Sequence, residues 1–109
     1  MRLSAMLPID EELKARLNSE TGKLGWPELQ RHFARGVVVV AAPGMDLVEV
    51  ATRMSMDDGE TIGQWLAAEN IRRANEADAR GWVNSDAIFW AVVVAPWVVV
   101  QEIPQHLDS

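Results

Sequence analysis

The sequence predicts an α+β fold: a small mixed β-sheet of three or four strands packed by four or five helices, with a long bent strand at the C-terminal end. Three observations carry this. Ile88 to Glu102 reads IFWAVVVAPWVVVQE, the longest apolar run and the densest in β-branched residues, and it holds two of the five Trp. Val37 to Ala41, VVVVA, is apolar on both faces, the pattern of a central strand covered on both sides. Elsewhere apolar residues recur at helical spacing behind residues that cap helices.

Each element follows in turn. Met1 to Ile9 reads as a lead, and Asp10 can cap a helix running to about Glu20, with Leu13 and Leu17 one turn apart on its inner face. Gly22 and Gly25 end that helix or form the turn after it. Trp26-Pro27 opens a second helix, because Pro at the first helical position gives up no hydrogen bond. Leu29 and Phe33 continue its stripe, and Gly36 stops it. After the VVVVA strand comes a turn at Pro43-Gly44. Asp46 with Glu49 reads as a capping box, and Leu47, Val50, Ala51 and Met54 form the clearest amphipathic face in the chain. Asp57-Asp58-Gly59 closes that helix.

A fourth helix, from about Glu60 to Ala68, is expected to bury Ile62, Trp65 and Leu66. Asn70 suits a left-handed turn position, and Ile71 to Ala74 a short edge strand. Asn75 with Asp78 starts a fifth helix whose inner face is Ala79, Trp82 and Val83. From Ile88 the β-branched run reads as strand, although Ile88, Phe89 and Val92 would also suit a helix. A central strand cannot lose a ladder donor cheaply, so Pro96 belongs at a bulge, a bend or an edge. Ala95-Pro96 is a poor two-residue hairpin turn because neither residue favours positive φ. A long bent strand is therefore the first expectation and a hairpin the second. The expected order is α-α-β-α-α-β-α-β.

The 109 residues, 49% hydrophobic, suit one domain over residues 1–109 with its core at about 11–102. Sixteen acids against ten bases give a net charge of −6, which argues against nucleic acid and against an anionic membrane surface. With no Cys there is no disulfide framework, thiolate nucleophile or Cys-based metal site. MRLSAMLPIDEE does not have the form of a signal peptide. The apolar run near the other end is shorter than the roughly 20 residues a spanning helix needs, and it contains Pro96. The expectation is a cytoplasmic protein with no membrane partner.

Several stretches together resemble a bacterial family of small proteins, the domain-of-unknown-function family numbered 2288. They are Trp26-Pro27-Glu28-Leu29, FARG at Phe33 to Gly36, DLVEVA at Asp46 to Ala51, Trp65-Leu66 and, above all, FWAVVVAPWVVVQE at Phe89 to Glu102. The resemblance spans roughly Glu11 to Glu102 and implies one bacterial domain. It implies no activity, cofactor or partner.

The residues that could carry chemistry each have a plainer reading. Arg31, His32 and Arg35 beside Gly36 could hold an anion, with His32 as a base, but a solvated helix end with favourable charges, and a packing role for His32, is the preferred reading. Asp57, Asp58 and Glu60 could supply oxygen ligands or a catalytic acid, yet acids between two helices also cap the second, and no calcium-loop pattern is present, so no metal site is assigned. Arg72 and Arg73, with Arg80, could meet a phosphate or RNA, against the net charge. No Gly-rich phosphate loop and no requirement for a cofactor are legible.

Trp26, Trp65 and Trp82 fall on inner faces. Trp90 and Trp97 point to opposite faces if the strand is unbroken, so either the helices sandwich the sheet or one face or edge meets another copy. The expected function is a small interaction or structural module that forms a homodimer through Trp90, Trp97 and Val99. The alternative is a small-ligand or phosphate-binding domain, or a small enzyme, using Arg31, His32, Arg35 and nearby acids.

Overall fold

The computed structural model describes residues 9–104. Met1 to Pro8 of the expected lead lie outside the described residues, as does His106, whereas Ile9, expected in the lead, and Asp10, expected as the cap, are already within the first helix. The chain runs α1 (Ile9–Glu20), β1 (Gly22–Gly25), α2 (Trp26–Ala34), β2 (Val38–Ala41), α3 (Leu47–Ser55), α4 (Gly59–Ala67), β3 (Ile71–Arg73), α5 (Glu76–Ser85), β4 (Ile88–Val94) and β5 (Trp97–Glu102). The class is α+β, as the sequence predicts, but the sheet has five strands rather than three or four. Their spatial order is β1-β4-β5-β2-β3. β2 and β5 are parallel, and the other neighbours are antiparallel.

The additional strand is β1, at the stretch expected to be a turn. GKLG carries no strand pattern of its own, but it pairs with β4 from Gly22 opposite Ala91 to Gly25 opposite Ile88. The second correction is at the C-terminal end. Ile88 to Glu102 is a hairpin, not one bent strand, with Val94 opposite Trp97 and Phe89 opposite Glu102. The Ala95–Pro96 peptide is cis, the arrangement found at the third position of a type VI turn, so neither turn residue needs positive φ. The chain reversal restores the register of faces. Trp97 lies on the same face as Val94, Val92 and Trp90, and the expectation of opposite faces fails.

Both faces of the sheet are covered. On the first face Leu17 of α1 and Leu47, Val50 and Ala51 of α3 bury Val39, Ala41, Ile71, Val92 and Val99, with Ile62 and Trp65 of α4 at the margin. On the second face Leu29 of α2 and Trp82 of α5 close over Val38, Phe89, Ala91, Val98 and Val100. Trp82 meets Phe89 edge-on at 4.9 Å and Trp26 at 5.9 Å, which makes an aromatic wedge between the helices and the sheet.

The caps are mostly those the sequence announces. The Asp46 carboxylate accepts from the Val48 and Glu49 N–H groups at 3.1 and 3.2 Å. Asn75 and Asp78 form a reciprocal box at the start of α5. Glu49 differs from expectation. It does not return to Asp46 but is held by Lys14 at 2.9 Å and Arg53 at 2.8 Å, which ties α1 to α3. Asp58 opens α4 as well as following α3. The left-handed residue before β3 is Glu69, φ 62°, rather than Asn70. Val83 and Leu66, expected inside, are exposed, and α4 buries none of its residues fully. No helix among the described residues is long and apolar enough to cross a membrane.

Candidate functional site

β2 and β5 run in parallel and finish at the same end of the sheet, at Ala41 and Glu102. β4 runs the other way, so its first residues reach that end too. Ile88 and Trp90 alternate onto the first face there, and each stays 41% exposed. This exposure is on an interior strand, where the neighbouring Val92 is fully buried. Lys23, opposite Trp90 on β1, places its ammonium 5.2 Å from the centre of the indole, a cation–π contact. On the other side Gln101 faces Trp90 in register. Its amide nitrogen donates to the Ala42 and Met45 carbonyls at 2.9 and 2.7 Å, pinning the loop between β2 and α3.

The result is a hollow of about 310 Å³ lined by Asn18, Thr21, Asp46, Leu47, Trp90 and Gln101, with Val48 at its edge. It presents an indole face, amide and hydroxyl groups and the Asp46 carboxylate, with the Lys23 ammonium beside the indole. Such a set offers non-covalent contacts of the kinds found in interfaces. Lys23 and Gln101 were not singled out from sequence. Of the residues around the hollow only Trp90 is legible in the sequence as a candidate surface residue.

At the same end, on the second face, Arg72 and Asp78 pair through two hydrogen bonds of 2.6 and 2.8 Å. The Trp82 indole N–H donates to Glu102 at 3.3 Å. With Glu69 and Pro43 they surround a cleft of about 190 Å³. The Arg72 hydrogen bonds hold the Asp78 carboxyl below its ordinary range against the opposing effect of burial, and Asp78 in turn raises Arg72.

The other predicted residues do not gather. His32 is half-buried on α2, on the second face, while Asp57 and Asp58 join α3 to α4 on the first. They do not form one site. Asp58 is occupied as a cap, accepting from the Thr61 N–H and hydroxyl at 3.2 and 2.9 Å, and these bonds lower its pKa. Arg31 and Arg35 are exposed on α2 and Arg80 on α5. Arg72 and Arg73 leave β3 on opposite faces. Arg73 donates to the Gly36 carbonyl at 2.7 Å and lies over Trp97, 5.5 Å from its ring centre. The five arginines therefore do not share a face. Among the described residues no group of three or more His, Asp or Glu side chains could hold a metal ion. Trp97 is half-buried beneath Arg73, and Val99, expected at an interface, is 0% exposed inside the chain's own core.

Comparison with known proteins agrees with this picture of the fold. The sequence pattern of a family described as protein of unknown function (DUF2288) matches residues 12–102. An NMR solution structure of the Pseudomonas aeruginosa protein PA1075 is 36% identical, with a TM-score of 0.77, over 100% of this chain and 98% of that one. No curated protein matches. The long match to the family pattern, together with a solved relative that aligns along the whole chain, places the protein: it belongs to the DUF2288 family.

Proposed function

We propose that the protein is a bacterial, cytoplasmic interaction module that pairs with a second copy of itself through the open end of the sheet around Trp90. The observation that supports this reading is the joint exposure of Ile88 and Trp90 on an interior strand. A large aromatic and a β-branched residue side by side on an otherwise covered sheet face are the composition of an interface core. The surround is self-complementary. Lys23 lies on one side of Trp90 and Asp46 across the hollow from it. A two-fold axis along the strands near Trp90 sets each charge of one copy against its opposite in the other. The dimer surface differs from the expected one in composition: Trp90 stays, whereas Val99 is enclosed and Trp97 is capped by Arg73.

Sedimentation velocity at micromolar concentration tests it. The parent protein is expected to sediment as a dimer, and Trp90→Glu as a monomer with an unchanged far-ultraviolet dichroism spectrum. A strictly monomeric parent overturns the homodimer. A dimer that survives Trp90→Glu overturns this surface.

A further inference from the structure

We infer that the slot beneath α4 binds a small carboxylate with a compact apolar body. This site lies at the opposite end of the first face from Trp90 and is independent of the dimer. α4 is an apolar helix seated on the sheet without burying any residue fully: Ile62 and Trp65 are half-buried and Leu66 is 49% exposed. Below it a space of about 200 Å³ is walled by Val39, Met54, Ile62, Leu66, Ile71 and Trp97. These walls offer water almost no hydrogen bonds, so an apolar group that displaces solvent there gains free energy. At ~30 Å³ per water-sized group the space takes roughly six carbons.

The charge at the mouth selects the ligand. Arg73 lines the slot, and its guanidinium is fixed by two contacts: one Nη2 hydrogen bond to the Gly36 carbonyl and the stack over Trp97. Among the described residues no carboxylate lies within ion-pair distance of it. Arg53 and Arg72, by contrast, are paired with acids, in a chain of net charge −6. A planar guanidinium with donors to spare, held in place beforehand, suits a carboxylate and loses little side-chain entropy on meeting one. Carbon walls with a cation at the rim match an acid whose other end is hydrocarbon.

The test uses hexanoate, with 1-hexanol as its uncharged counterpart, titrated to millimolar concentration into the isotope-labelled protein while the Trp97 indole N–H resonance is followed. Hexanoate is expected to move that resonance saturably and to bind at least tenfold more tightly than hexanol. Arg73→Gln should weaken hexanoate about tenfold and hexanol by less than twofold. Leu66→Glu, which puts a competing carboxylate at the mouth, should weaken hexanoate by at least as much. Both positions are exposed, so both variants are expected to fold. An unmoved Trp97 resonance overturns the site. Equal affinity for acid and alcohol, or hexanoate binding unchanged by Arg73→Gln, overturns the assignment to carboxylates.

Discussion

Arg72 spends both branches of its guanidinium on Asp78, Nη1 to Oδ2 at 2.6 Å and Nη2 to Oδ1 at 2.8 Å. The same carboxylate accepts from the Asn75 N–H at 2.8 Å, while the Asn75 side chain accepts from the Asp78 N–H at 2.9 Å. One acid thus fastens an edge strand of three residues to the first turn of the helix that follows it. The strand has three ladder positions against β2 and one buried side chain, Ile71, and the clasp adds to these.

Asp78→Asn should therefore cost about 1–2 kcal/mol at neutral pH, combining part of a helix cap with a charge-assisted pair discounted for the half-exposed Arg72. The pH dependence has a definite sign. The Asp78 pKa is lowered on folding, so its stabilisation is complete above the unfolded value of about 3.9 and fades as pH falls through the folded value. Urea midpoints of parent and variant should differ at pH 7 and converge in strong acid. A gap that persists unchanged would count against the clasp.

Glu49 plays a related part between α1 and α3. Lys14 first and Arg53 second hold its carboxyl below the ordinary range, although burial opposes them. Glu49→Gln should cost about 0.5–1 kcal/mol in dilute buffer. The loss should shrink in 1 M salt, where the screening length falls to about 3 Å. It should shrink in acid as well, since a lowered pKa gives stability that is present at neutral pH and lost below. Thermal melts at two ionic strengths measure it.

A single substitution made at two places separates core from surface. Val99→Thr buries a hydroxyl with no partner under α3 and should cost about 1–3 kcal/mol. Val93→Thr keeps the β-branched shape at a site 59% exposed and should stay within about 0.5 kcal/mol of the parent. Chemical denaturation of the two variants distinguishes them. Similar losses would mean that Val93 is covered in solution.

The sequence carries its helices openly because their signals are local. Asp46, Asn75 and Trp26-Pro27 each mark a helix start within four residues, and all three lie where expected. β1 was illegible for the opposite reason. Two Gly, a Lys and a Leu become a strand only because β4 offers them an edge, which is a long-range fact. The hairpin ranks second in the sequence because Ala95-Pro96 fails the rule for two-residue turns with positive φ. The cis peptide meets the same geometric need another way. Glu69 took the left-handed position in place of Asn70, the better-suited neighbour, so that Asn70 could donate to Trp65 and accept from Ala42 through its backbone. Of the candidate surface only Trp90 was legible. Lys23 and Gln101 reach it through strand pairing, which no short motif encodes.

The placement of β4 and β5 inside the sheet has a consequence for the chain's behaviour outside its native state. Together they hold the run most suited to cross-β stacking, thirteen residues from Ile88 to Val100 without a single charge. In the folded protein β5 lies between two strands, and β4 is paired on both sides over its first half, Phe89 to Ala91. The exposed edges are GKLG and IRR, four and three residues long, each carrying a cation. Short, charged edges are poor templates for another chain. β1 is therefore a guard as much as a strand: lifting it away uncovers β4 from Ile88 to Ala91. Damage at Gly22 to Gly25 should then show itself as aggregation before it shows as a loss of helix, even though of those four residues only Leu24 packs against a core.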